Sequence, residues 1–191
     1  QDYNTKFITT FGSRPYKTNP NRKNYRYVDC HSEEGLITTF VDWWTRNTPE
    51  VITGWNCEMY DIPYLMGRME RLMGEKYAKR MSPWGICRRN EITIAGRANI
   101  VYDIAGISVI DYLDLYKKSP ATPNQESFRL DHIALMELGQ QKLDHSEYDT
   151  FRDFYTKNWQ KFVDYNIVDV ELVDRLEDKL KLIDLCCTRA Y

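Results

Sequence analysis

The 191-residue sequence predicts an α/β fold, with helices on both faces of a mixed sheet, and three observations lead there. Short β-prone runs come first, at residues 6–11 and 25–30. Strand and helix patterns then alternate from Ser32 into the middle of the chain. A long amphipathic run closes it, where apolar residues from Trp159 to Ile183 recur at helical spacing over about seven turns.

The elements follow in order. A stretch rich in Pro and Asn, 15–24, reads as a loop between the first two strands. Ser32 is placed as the N-cap of a helix with Glu33 and Glu34 in its first turn and an apolar stripe of Leu36, Ile37, Phe40, Val41 and Trp44. Pro49 breaks the chain ahead of a buried strand, 51–55. The segment Asn56-Cys57-Glu58-Met59-Tyr60-Asp61 comes next, and Ile62-Pro63 leads into a helix whose stripe holds Leu65, Met66, Met69 and Leu72. Asp61 therefore falls at the carboxyl end of a strand, where α/β folds gather their chemistry. Residues 86–110 read as strand-rich, with a β-hairpin turning at Gly96-Arg97 between 91–95 and 99–104, then Gly106 and a further strand at 107–110. Residues 119–126 form a loop, and 130–138 a short helix that Gly139 stops.

One domain spanning 1–191 is expected, since 42% hydrophobic residues over this length suffice for a full core. A mean hydropathy of -0.61, with no apolar run near the roughly 20 residues of a membrane span, predicts no membrane association. The five cysteines show no C-x-x-C spacing and no pairing with the three histidines, which argues against a zinc site or disulfide framework and for a reducing, intracellular setting. The net charge of -2 lacks the basic excess of a duplex-gripping module, so any nucleic-acid contact must be local. The chain opens on Gln1 and enters the apolar Phe7-Ile8 almost at once, as expected of a piece of something longer.

Two carboxylates stand out by context. Asp61, two residues before Pro63, has a plain alternative as a helix N-cap. Asp169 sits in mid-helix, a poor place for Asp, four residues after Tyr165, so that phenol and carboxylate share a face. The five tryptophans read as packing, and the scattered basic residues Lys79, Arg80, Arg88, Arg89 and Arg97 as a solvated face.

Taken together, Asn56-x-x-x-Tyr60-Asp61 at a strand-to-helix junction and Tyr165-x-x-x-Asp169 in a closing helix resemble the second and third exonuclease motifs of DnaQ-like proofreading nucleases. The segments Ile52-Thr53-Gly54-Trp55-Asn56, Asp61-Ile62-Pro63-Tyr64, Gly106 through Tyr112, Leu130-Asp131 through Leu138-Gly139 to Lys142, and Tyr165-Asn166-Ile167-Val168-Asp169-Val170 are similar to the T-even-type phage branch of family B DNA polymerases. The resemblance runs from Glu33 to Ile183 and is loose before that.

That resemblance implies an RNase H-like three-layer sandwich and a 3′→5′ proofreading exonuclease with a two-ion Mg²⁺ or Mn²⁺ site. Asp61 and Asp169 are the implied metal ligands, and Tyr165 orients the attacking water. Asn56 and Tyr60 seat the unpaired 3′ end, stacking being a sequence-tolerant way to hold a base. Arg97, in a hairpin similar to one that parts the primer end from the template, and Lys142, similar to a lysine near the scissile phosphate, are further implied DNA contacts, with a plain turn and a solvated surface lysine as their alternatives. Implied partners are single-stranded primer ends and the remaining polymerase domains, in the cytoplasm of an infected bacterial host.

The family's first motif, Asp-x-Glu on the opening strand, is not matched, because the only acidic residue before Lys6 is Asp2. The expectation is a domain truncated at its N-terminus, without its central strand, of little activity as it stands, and prone to dimerise through the unfilled sheet. The alternative is a non-catalytic module that binds single-stranded DNA, or a structural RNase H-like scaffold.

Overall fold

The computed structural model describes residues 1–94, 96–120, 122–140 and 147–189. In chain order these form β1 (Ile8–Gly12), β2 (Tyr25–Asp29), α1 (Glu33–Arg46), β3 (Val51–Gly54), α2 (Asp61–Met73) and α3 (Glu75–Ala78). After a 3-10 turn at Lys79–Met81 come β4 (Cys87–Ile94), β5 (Arg97–Ile104), β6 (Ser108–Asp111), α4 (Tyr112–Lys118), α5 (Leu130–Leu138), α6 (Phe151–Lys157), α7 (Trp159–Leu180) and α8 (Leu182–Arg189). The mixed α/β class stands, but the described strands form three two-stranded sheets rather than one mixed sheet. β1 pairs β2 and β3 pairs β6 in parallel, while β4 and β5 form an antiparallel hairpin. No helix among the described residues is long and apolar enough to cross a membrane.

The chain divides into two compact units, Gln1–Leu36 with Gln125–Lys181, and Ile37–Asn124 with Leu182–Tyr191. In the first, Ile8 of β1 packs with Val163 and Ile167 of α7, among Tyr16, Tyr25, Tyr27 and Trp159. The 15–24 loop is fastened to α7: Tyr16 donates to Asp164 Oδ1 at 2.6 Å, and the Gln160 amide bonds the Lys17 backbone N–H and carbonyl, both at 3.0 Å. Lys6 reaches Asp174 at 2.6 Å and Asp178 at 3.1 Å.

In the second unit, Ile37, Val41 and Trp44 of α1 meet Ile62, Met66 and Met69 of α2, together with Met81, Tyr102, Ile104 and Ile107. The i, i+4, i+7 spacing of the α2 residues makes the stripe. Two polar anchors fix the layers. Trp44 Nε1 donates to the Met81 carbonyl at 2.8 Å, and the Tyr102 hydroxyl to Glu70 Oε2 at 3.1 Å.

One expectation holds and two change. Ser32 does cap, accepting the Gly35 N–H on its hydroxyl at 3.0 Å. Arg97, expected in the hairpin turn, is instead the first residue of β5, paired with Ile94. The closing helix does not run to Ile183: Lys181 takes φ 53° and ends α7, and α8 starts afresh. The break lets Leu182, 4% exposed, bury in the unit that contains α4, which α8 contacts. Apolar periodicity alone cannot register such a one-residue redirection.

Candidate functional site

β3 and β6 run in register with Gly54 opposite Asp111, so the two strands end side by side. Thr53 Oγ1 locks the pair one residue earlier by donating to the Ile110 carbonyl at 2.6 Å. The chain then turns through residues 55–60. Tyr60 N–H donates to the Asn56 carbonyl and Ile62 N–H to the Cys57 carbonyl, each at 3.0 Å. Asn56 takes φ 63°, the left-handed region that Asn enters more readily than most residues. Gly54 admits the turn by lacking a side chain, since a Cβ there would lie 2.9 Å from Cys57 Cβ. Trp55 faces the buried rings of Tyr112 and Tyr116 on α4, with centroids 6.3 and 6.0 Å away. The Asp111 side chain, 7% exposed, accepts the N–H groups of Asn56 and Leu113 on Oδ1 and that of Glu58 on Oδ2, all at 3.0 Å.

Asp61 is the first residue of α2. The N-cap is Tyr60, without a side-chain cap bond, so the capping alternative for Asp61 is set aside. Its exposed carboxylate stands in the first turn, where the helix's positive end favours an anion. Tyr60 and Tyr64, 67% and 64% exposed, flank it. Burial, and then the nearby charges of Asp111 and Asp61, push the Cys57 thiol up to about 12. Burial also raises Glu58, with Asp111 and Asp114 adding to the shift and Lys118 opposing it.

Tyr165 and Asp169 lie one turn apart on α7, both half-buried. By helical spacing they share a stripe with the fully buried Leu172 and Leu176 and face away from Val163 and Ile167. The Tyr165 ring is held edge-on by Phe151 and Phe154 of α6, with centroids 6.3 and 5.7 Å away. That short helix is set by its cap, Thr150, whose hydroxyl accepts the Asp153 N–H at 3.0 Å.

The residues singled out from sequence thus fall into two groups. Asn56, Tyr60 and Asp61 share one turn in one unit, while Tyr165 and Asp169 share one helix face in the other. Arg97 is exposed at the hairpin tip in the first group's unit. Lys142 lies outside the described residues. Among the described residues, no three His, Cys, Asp or Glu side chains gather as a metal-binding group. Sequence reasoning missed Asp111 and Tyr64. The signal for Asp111 was its place at the end of an apolar strand and before Tyr112 and Tyr116, a capping pattern.

The sequence matches the family model described as DNA polymerase family B, exonuclease domain, over residues 3–133. The DNA-directed DNA polymerase of Escherichia phage RB69 is 37% identical over 166 residues, 86% of this chain and 18% of that protein. That of Enterobacteria phage T4 is 34% identical over 165 residues, with the same shares. The DNA polymerase of Bombyx mori nuclear polyhedrosis virus is 28% identical over 160 residues, 82% of this chain and 16% of the relative. The chain spans less than a fifth of the length of these relatives. The family match covers the turn that carries Asp61 but stops short of Tyr165 and Asp169.

Proposed function

The chain belongs to the family of family B DNA polymerase exonuclease domains, and from that membership we propose that it is the 3′→5′ proofreading region of a phage polymerase, trimming mispaired primer ends by metal-assisted hydrolysis. The observation that carries the assignment is the setting of Asp61. It is an exposed carboxylate in the first turn of α2, at the carboxyl end of a parallel strand. In this reading the β3–β6 pair belongs to an RNase H-like core, and the intact enzyme works in the host cytoplasm.

Asp61 and Asp169 supply the hard oxygen donors that Mg²⁺ or Mn²⁺ prefers. When bound, such ions would activate water and relieve charge on the leaving oxygen. Two carboxylates are too few to complete two shells. The chain by itself therefore binds the ions weakly and cuts slowly.

Its own residues do the positioning. Tyr165, wedged by Phe151 and Phe154, presents its phenol in one direction and orients the attacking water. Tyr60 and Asn56 seat the unpaired 3′ nucleotide, with Tyr60 exposed as a stacking surface. Arg97 offers a phosphate contact from the hairpin tip.

The test is a Mn²⁺ titration read by water-proton relaxation, with and without a single-stranded oligodeoxynucleotide, on the wild type, Asp61→Ala and Asp169→Ala. DNA is expected to tighten Mn²⁺ binding in the wild type, because phosphate oxygens join the ion's shell, and either substitution removes that gain. Equal Mn²⁺ binding by all three proteins, with or without DNA, would overturn the assignment.

A further inference from the structure

The Asp111 carboxylate sits where two demands meet. On one side it is the N-cap of α4, accepting the Leu113 N–H on Oδ1. On the other it reaches across the strand pair to the turn after β3, taking the Asn56 N–H on the same oxygen and the Glu58 N–H on Oδ2. All three contacts are 3.0 Å, and the residue is buried. A cap alone needs one acceptor. The other two bonds belong to the turn, whose Asn56 and Glu58 N–H groups find their acceptor in this carboxylate. A buried donor left unmet is costly, so the turn's shape depends on a group able to accept from both ends at once.

Register explains the reach. Asp111 is opposite Gly54 in the parallel pair, so its side chain lies under the residues that follow Gly54. The turn it holds starts at the left-handed Asn56 and ends in Tyr60 and Asp61. Its N–H groups at 56 and 58 are fixed by the carboxylate and its carbonyls at 56 and 57 by the N–H groups of Tyr60 and Ile62. We infer that Asp111 is a positioning residue for the proofreading reaction: it clamps the turn that aims the Asp61 carboxylate and the Tyr60 ring, and its effect on metal and DNA passes through them. This rests on the function proposed above for Asp61.

A serine at this position separates the two roles. Asp111→Ser retains a side-chain oxygen close enough to cap α4 but too short to span the turn. Asp111→Asn keeps the length and exchanges one acceptor for a donor, which must confront an N–H. Both variants are compared with wild type and Asp61→Asn by ¹H–¹⁵N NMR of the 191-residue chain, with amide hydrogen exchange and Mn²⁺-induced line broadening as readouts.

The serine variant is expected to hold the β3–β6 and α4 amides protected as in wild type while the Asn56 and Glu58 amides exchange at least tenfold faster. The Mn²⁺ concentration for half-broadening near Asp61 rises between about tenfold and a hundredfold, the usual effect of losing a group that orients a metal ligand. Asp61→Asn is expected to abolish the broadening with the Asn56 and Glu58 amides still protected. Full rescue of both readouts by serine would reduce Asp111 to a helix cap and overturn the inference. So would unchanged exchange at Asn56 and Glu58 in the asparagine variant. Broadening that survives Asp61→Asn overturns the metal role of Asp61 instead, and with it the function on which the inference rests, whereas the exchange result still decides whether the clamp exists.

Discussion

Replacing Gly54 by alanine tests the packing on which the turn depends. The new Cβ would sit 2.9 Å from Cys57 Cβ and 3.5 Å from its Sγ. The first distance is shorter than real Cβ contacts, and the neighbour is the root of a buried side chain, which cannot swing aside. Overpacking of this kind costs about 1–3 kcal/mol. Against it, Gly to Ala restricts the unfolded chain and returns about 0.4–1 kcal/mol where the backbone suits alanine, as at this extended strand residue. The ranges leave a net loss of about 0–2.6 kcal/mol, about 1.3 kcal/mol at their centre, and at about 2–4 °C per kcal/mol for a chain of this size the midpoint falls by about 3–5 °C there. Thermal melts followed by circular dichroism read this directly. The cause is checked by repeating the substitution in a Cys57→Gly background, where the clashing Cβ is gone and Gly54→Ala becomes neutral or mildly stabilising. A melt for Gly54→Ala within about 1 °C of wild type, or an equal loss in both backgrounds, would refute the reasoning.

Three further outcomes follow from the same coordinates. Ile167→Ala, which opens a cavity between α7 and β1 where Ile167 is 2% exposed, lowers stability by about 2–4 kcal/mol in urea unfolding. Glu58→Gln raises stability at neutral pH by up to about 0.5 kcal/mol and leaves it unchanged in acid. The sign follows from Glu58 being raised on folding. The folded state favours the neutral acid, so its contribution is full below the ordinary Glu range and is lost as pH climbs through the raised value; parallel unfolding curves at pH 4 and 7 check it. Iodoacetamide at pH 8 alkylates the exposed Cys186 and Cys187 well before Cys57, whose thiol is buried and pushed up to about 12, as peptide mass spectrometry would show.

What could be read from the chain and what could not divides along sequence separation. The Ser32 cap, the Gly139 stop and the strand-to-helix junction at Asp61 are local signals, and each is present. Three short helices escaped notice: α3 is four residues, and α4 and α6 seven each, too brief for an apolar period to declare itself. The Thr150 cap with Asp153 three residues on was nonetheless a readable start. Strand pairing was hidden, because partners such as Val51 and Ser108 are fixed by packing that no local window contains.

The site shows the same division, with a consequence for how its parts are valued. Asp61 and Asp169 drew attention because their residue types and spacing announce chemistry. Asp111 did not, because a helix cap is an ordinary thing for an aspartate to be, and its second use exists only once β6 lies beside β3 with Asp111 opposite Gly54. Gly54, Asn56 and Asp111 then constrain one turn by different means: a missing Cβ, a left-handed backbone and a carboxylate that accepts across the strands. A carboxylate on an unconstrained loop would spread over many orientations, and most of its attraction for a cation would be spent on ordering it. Holding the turn before α2 leaves the Asp61 side chain exposed while the backbone leading to it is fixed, the combination that the proposed metal role of Asp61 asks for.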